Sequence, residues 1–314
     1  MDRSRTIKHT QKFLRVKLRV LFFIILGLLD KITSSRIRNK MPNVIVFHEI
    51  NEKCSIHSDE TNTGLKQTYF TRLLNQLQKR DWARGNHLLL TFDDGYFLND
   101  EIMEELVSSK LKIICFVNTN TLFSGLRYET LLRYKDEILT DNLRRQILKN
   151  KPLQGDWEDE KIKDLSEELV ESINAFQGRY FTSKEVSEIA KTPIVLGDHF
   201  VDHLDVAQLR DEELVEGIIR SNRVLLEEGL DVTKTFAMPH GLLKPSQINV
   251  LKRLGYRQIF GGSAFSILRQ KIGVIPRVQV ADNNHNFIAI RGELFFNRLV
   301  YGLKHFRISD ISNR

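Results

Sequence analysis

The chain has 314 residues, of which 41% are hydrophobic and 28% charged, the composition of a folded protein with a core of ordinary size. Its formal charge is +7, but the excess sits at one end: residues 1–40 hold 11 Lys and Arg against 2 Asp and Glu, while the rest holds 36 against 38. A near-neutral body argues against nucleic acid as the partner, and two cysteines with no CxxC offer no disulfide framework.

Taken in chain order, residues 1–40 come first as a basic, partly apolar arm. Val20 to Leu29 (VLFFIILGLL) are uncharged and follow Arg15, Lys17 and Arg19. A spanning helix needs about 20 apolar residues, so this run is too short to cross a bilayer. Asp30-Lys31 follows at once and no small-x-small cleavage site is present, which argues against a signal peptide. The arm is expected to form an interfacial helix with basic flanks on a membrane surface. The competing expectation is a disordered or locally packed N-terminal helix. A membrane-associated protein is therefore expected, with the cytoplasmic face favoured and an extracytoplasmic one left open.

Residues 41–314 read as one catalytic-type domain. Short apolar runs predict strands at 43–48, 88–92, 112–117, 193–197, 233–238, 256–260 and 274–280. They are mostly continuous rather than alternating, as buried parallel strands are. Between them lie helices. Ile102, Met103, Leu106 and Val107 make one apolar stripe. Leu214, Val215, Ile218, Ile219, Leu225 and Leu226 make another, stopped by Gly229. Pro245 opens a third that Gly255 ends, and Thr182 with Glu185 makes a capping box before a fourth. Such alternation predicts a parallel α/β sheet or barrel, with a charged helical insertion at about 120–180. Cys115, within IICFV, reads as a small buried hydrophobe.

Three polar clusters stand at predicted strand ends, where α/β folds gather their chemistry. Thr91-Phe92-Asp93-Asp94-Gly95 places two carboxylates in a turn, so that one can ligate a metal while the other faces bound water. As a plain Asp-Gly turn it would carry no chemistry. His199 and His203 fall at i and i+4, a spacing that puts both rings on one face of a helical turn, unless they are simply surface histidines. With a carboxylate they would make the open three-ligand set of a catalytic zinc. Phe236 to Gly241 is a strand running into a Pro-His-Gly turn whose backbone N–H could face a substrate.

In this order the clusters closely resemble the polysaccharide deacetylases (carbohydrate esterase family 4, the NodB-homology domain). TFDDG stands at Thr91 to Gly95, His-x-x-x-His at His199 and His203, and a loose Pro-aromatic-Gly turn at Pro239-His240-Gly241. The likeness extends to VIVFHEI near the start and covers about Met41 to Val280, outside 120–180. It implies a distorted (β/α) barrel and removal of an N-acetyl group from an amino sugar in bacterial surface glycan or lipopolysaccharide assembly. Asp94, His199 and His203 would hold zinc or another divalent ion such as cobalt, and Asp93 would be the general base. Tyr96, Pro239, His240 and Gly241 would line the substrate side. Rival readings are a deformylase or deacetylase of a lipid-linked sugar and a non-catalytic glycan-binding scaffold. The chain departs from the family pattern at three places. Ala237 stands where many members have Arg, so Arg277 is expected to supply that charge from another strand end. His240 replaces the usual aromatic. No late Leu-x-His is present; His285 lies in a polar loop, which leaves His48, at the end of the first strand, as the expected proton donor, unless it is a buried core histidine.

Overall fold

The computed structural model describes residues 19–29, 43–56, 58, 63–79, 88–125, 171, 173–175, 177–201, 203–230, 234–241, 243–262, 273–280 and 287–302. Most of the expected helical insertion, most of the basic arm and the loop with His285 lie outside these residues.

All seven expected strands form: β1 (Asn43–Phe47), β2 (Leu88–Phe92), β3 (Lys112–Val117), β4 (Val195–Asp198), β5 (Thr235–Ala237), β6 (Gln258–Phe260) and β7 (Val278–Gln279). They pair in parallel in the order β6-β5-β4-β3-β2-β1-β7. The segment expected as one strand over 274–280 does two jobs. Ile275 bridges to β6, donating its N–H to Ile259 O at 2.7 Å and accepting from Gly261 N at 3.0 Å, while Val278 and Gln279 pair with β1. One segment thus ties the two edges of the sheet together, with Pro276 at the bend, and the sheet closes into a distorted (β/α) barrel.

The strands are apolar on both faces because both are covered. Val44, Ile114, Phe116, Ala237, Phe260 and Ile275 make one cluster, while Ile45, Phe47, Leu88, Leu90, Cys115 and Leu196 pack in another with the helices. Residues 19–29 form α1. Then follow α2 (Gln67–Gln78), α3 (Asp100–Ser108), α4 (Thr119–Ser124), α5 (Ser183–Ile189), α6 (Asp211–Glu227), α7 (Pro245–Arg253) and α8 (Phe287–Gly302). The Thr182–Glu185 capping box opens α5 as expected. Gly229 (φ 70°) and Gly255 (φ 92°) end α6 and α7 in the left-handed conformation that glycine adopts without a Cβ clash.

The strand register aligns the carboxyl ends. Phe47 lies opposite Phe92, Val117 opposite Asp198 and Ala237 opposite Phe260. The next residues along each strand, His48, Asp93, His199 and Met238, therefore meet at one rim.

Candidate metal and catalytic site

At that rim the backbone bends in ways side chains resist. Five described non-glycine residues have positive φ, and four of them are Asp94 (70°), Phe200 (71°), His203 (49°) and His240 (57°). Such conformations persist where the surroundings enforce them, and they concentrate at functional sites. Asp93 N still donates to Phe47 O at 2.9 Å, continuing the ladder, whereas Asp94 and Gly95 (φ 72°) both turn left-handed. The adjacent carboxylates therefore leave the chain in different directions.

The described residues between His199 and His203 are not in the helical turn expected from sequence, and Phe200 and His203 carry left-handed kinks. Asp198 holds that segment. Its Oδ1 accepts from Phe200 N at 2.8 Å and Ser221 Oγ at 3.2 Å, and its Oδ2 accepts from Tyr256 Oη. Local hydrogen bonding by an Asp competes with helix formation, and here it wins. Burial pushes the Asp198 carboxyl up from its ordinary value against the pull of those three donors. Burial, together with Asp198, also pushes the Tyr256 hydroxyl well above its ordinary value.

His199 Nδ1 lies 3.0 Å from the Ala237 carbonyl oxygen. A carbonyl can only accept, so the proton is assigned to Nδ1 and Nε2 presents a lone pair. That Nε2 stands 2.9 Å from Asp94 Oδ1, and His203 Nε2 stands 3.0 Å from the same oxygen. The lone pair of His199 Nε2 and the Asp94 oxygen face each other, an arrangement that a cation between them would satisfy. The ligand atoms of Asp94, His199 and His203 all lie within 4.8 Å of one another. Two imidazole nitrogens and one carboxylate oxygen suit a divalent ion such as zinc, and the carbonyl bond behind His199 is how metal-bound imidazoles are commonly oriented. The residues present fit the metal.

Asp93 and Arg277 are each 3% exposed and form a two-pronged pair, Nη1 to Oδ1 and Nη2 to Oδ2, both at 2.6 Å. Nε of Arg277 donates to Gly261 O at 2.8 Å and Nη1 also reaches Thr91 Oγ1 at 3.3 Å. Burial raises the Asp93 carboxyl, but the Arg277 guanidinium and its hydrogen bonds outweigh it and hold the group below its ordinary value. Arg277 thus reaches Asp93 from the barrel-closing segment, while the Ala237 side chain carries no charge and its carbonyl serves His199.

His48 follows β1, and its Nδ1 is shut off from solvent with no hydrogen-bond partner among the described residues. Burial lowers its pKa, more than the Asp94 and Asp93 carboxylates raise it. The ring is therefore neutral at neutral pH. Tyr96 is buried and stacks on Tyr180, with ring centres 4.9 Å apart, where Phe97 N donates to Arg179 O and Phe181 N to Gly95 O. The insertion thereby returns to the site, which its sequence gives no reason to expect. His240 is exposed at the rim, its ring centre 4.8 Å from that of His203. Gly241 N donates to Met238 O at 3.0 Å, and Pro239 has no N–H, so neither supplies the substrate-facing backbone N–H expected of this turn.

The polysaccharide deacetylase family model matches residues 80–259. No curated protein matches the chain. Among solved structures, IcaB from Ammonifex degensii is similar with a TM-score of 0.51 at 16% identity, over 83% of this chain and 98% of that one. A polysaccharide deacetylase from Bacillus cereus is similar with a TM-score of 0.50 at 13% identity, over 82% of this chain and 69% of that one. At such identities these likenesses speak to the fold.

Proposed function

The chain belongs to the polysaccharide deacetylase family, and on that premise we propose that it is a metal-dependent hydrolase removing the N-acetyl group from an amino sugar of a bacterial surface glycan, with lipopolysaccharide assembly as one setting. The observation that carries the reading is the convergence of His199 Nε2, His203 Nε2 and Asp94 Oδ1 beside a second carboxylate, Asp93, held by a buried arginine. A scaffold that only bound glycans would have no use for that pairing.

Asp94, His199 and His203 would hold zinc or cobalt, which when bound polarises the amide carbonyl and acidifies water. Asp93 accepts a proton from the attacking water. Arg277 lowers its basicity but keeps it ionised and fixes its direction, and each carboxylate oxygen retains a lone pair for the water. As the carbon–nitrogen bond breaks, the leaving nitrogen must gain one proton. His48, neutral at rest, delivers only a proton it has first received, and the proton taken up by Asp93 is its source. Pro239, His240 and Gly241 would line the substrate side of the rim, together with Tyr96 from the turn that follows Asp94.

The test is acetate release from an N-acetylated hexosamine oligomer by zinc-loaded protein, with Asp93→Asn as the control. Release by the parent that the variant lacks supports the reading. Equal release by both would place the base elsewhere, and release by neither would return the site to a binding role.

A further inference from the structure

We propose that α1 and α8 form a fixed docking face for an anionic lipid surface, with α1 lying in the headgroup plane. The proposal is independent of the deacetylase reading.

α1 is not a loose arm. Phe23 and Gly27 are buried, and Phe22 and Phe23 meet Phe296 of α8 edge to face with ring centres 6.0 and 6.1 Å away. Arg19 Nη2 pairs with Glu293 Oε1 at 3.0 Å. The two backbones touch. A Cβ on Gly292 would lie 1.7 Å from Phe23 O, and one on Gly27 would lie 2.2 Å from Ile288 O. Only glycine at both positions permits this approach.

The outer side of α1 is about half exposed to solvent. Leu21, Ile25 and Leu28 run along it at helical spacing, 45% to 54% exposed, flanked by Phe22 and Leu29 at 43% and 45%. They are half of the ten large hydrophobic side chains exposed among the described residues, gathered on one helix. A stripe that apolar calls for an apolar occupant. No described helix is long and apolar enough to cross a membrane, and α1, about 16 Å long at the usual rise per residue, would lie along a surface rather than through it.

Charge selects the occupant. The first 40 residues hold 11 basic and 2 acidic residues, and the remainder 36 and 38. An anionic bilayer attracts the end of the chain that carries the stripe and mildly repels the body, which also sets orientation. The body, with 36 basic and 38 acidic residues, is nearly neutral and gives a second copy no comparable attraction to offer. Gly27 meets Ile288 near the start of α8, and Arg298 near its end reaches Asn43 at the start of β1. The Leu28–Leu29 end of the stripe therefore lies toward the strand ends where Asp93 and Asp94 stand.

The experiment uses the full chain with vesicles of phosphatidylcholine alone and of phosphatidylcholine with phosphatidylglycerol, followed by flotation at low and high salt. The expected result is flotation with the anionic vesicles, weakened by salt. Ile25→Asp with Leu28→Asp should reduce partitioning by roughly a hundredfold or more. Because both side chains face outward, circular dichroism, thermal midpoint and zinc binding should be unchanged. A variant that floats as well as the parent would overturn the proposal, and so would a parent that ignores anionic vesicles. A lipid-free dimer abolished by the same double substitution would assign the stripe to a second copy instead.

Discussion

Arg277→Met is the most informative single change, because it removes a charge while roughly keeping the volume. Both partners of the Asp93–Arg277 pair are 3% exposed, so no water replaces the lost guanidinium. Breaking a buried pair by deleting one member costs about 3–5 kcal/mol. The upper end is expected here, since Gly261 O and Thr91 Oγ1 also lose a donor. That is a large share of a typical stability of about 5–15 kcal/mol, so the variant should fold but unfold at much lower urea. Asp93→Asn combined with Arg277→Met removes the stranded carboxylate and should recover about 1–4 kcal/mol of the loss. Urea denaturation of the parent, both single variants and the double variant, all stripped of metal so that no bound cation offsets the free charge, gives the coupling energy directly. Additivity within about 0.5 kcal/mol would mean that the two side chains do not act as a pair, and the positioning of Asp93 would need another cause.

Asp94→Ala should lose zinc binding, whereas Asp93→Asn should keep it and lose about 10²–10⁴-fold in kcat; metal content and acetate release on the same samples separate the two roles. His48→Ala should keep zinc and fold but lower kcat substantially, while His240→Phe, an aromatic for an exposed ring, should be mild; the reverse ranking would move the proton donor to His240. Burial raises the Glu293 carboxyl above its ordinary value, more than Arg19 lowers it. A raised folded-state pKa means stability is present below the unfolded value of about 4.5 and declines as pH climbs through the folded one. Glu293→Gln should therefore raise the thermal midpoint at neutral pH, with the gain shrinking on acidification; a gain that grows toward pH 4 would contradict the burial argument.

Much of this was legible in the sequence, for physical reasons that differ by element. The seven strands announce themselves because a parallel barrel wall is covered on both sides and so reads as short continuous apolar runs. The ends of α6 and α7 are marked by Gly229 and Gly255, and the start of α5 by Thr182 and Glu185, since caps are local chemistry. Arg277 was legible as the strand-end charge that replaces the one missing at Ala237, but its two-pronged geometry on Asp93, 184 residues away in sequence, depends on barrel closure. The kinks at Phe200 and His203 are not legible in the sequence, because Tyr256 and Ser221, which help fix them through Asp198, lie on distant elements. Two helices were passed over. α2 carries an ordinary stripe, Phe70, Leu73, Leu74 and Leu77, and could have been found. α8 shows none, because it is buried between the barrel and α1 and needs no polar face.

The central claim is that one divalent ion on Asp94, His199 and His203 makes the hydrolase. It is tested most directly by titrating metal-stripped protein with zinc while recording acetate release from an N-acetylated hexosamine oligomer. The account predicts no release without metal, a linear rise to one equivalent per chain and a plateau beyond it, with no rise in His199→Ala. Full release from the stripped protein, or an undiminished rise in His199→Ala, would contradict it.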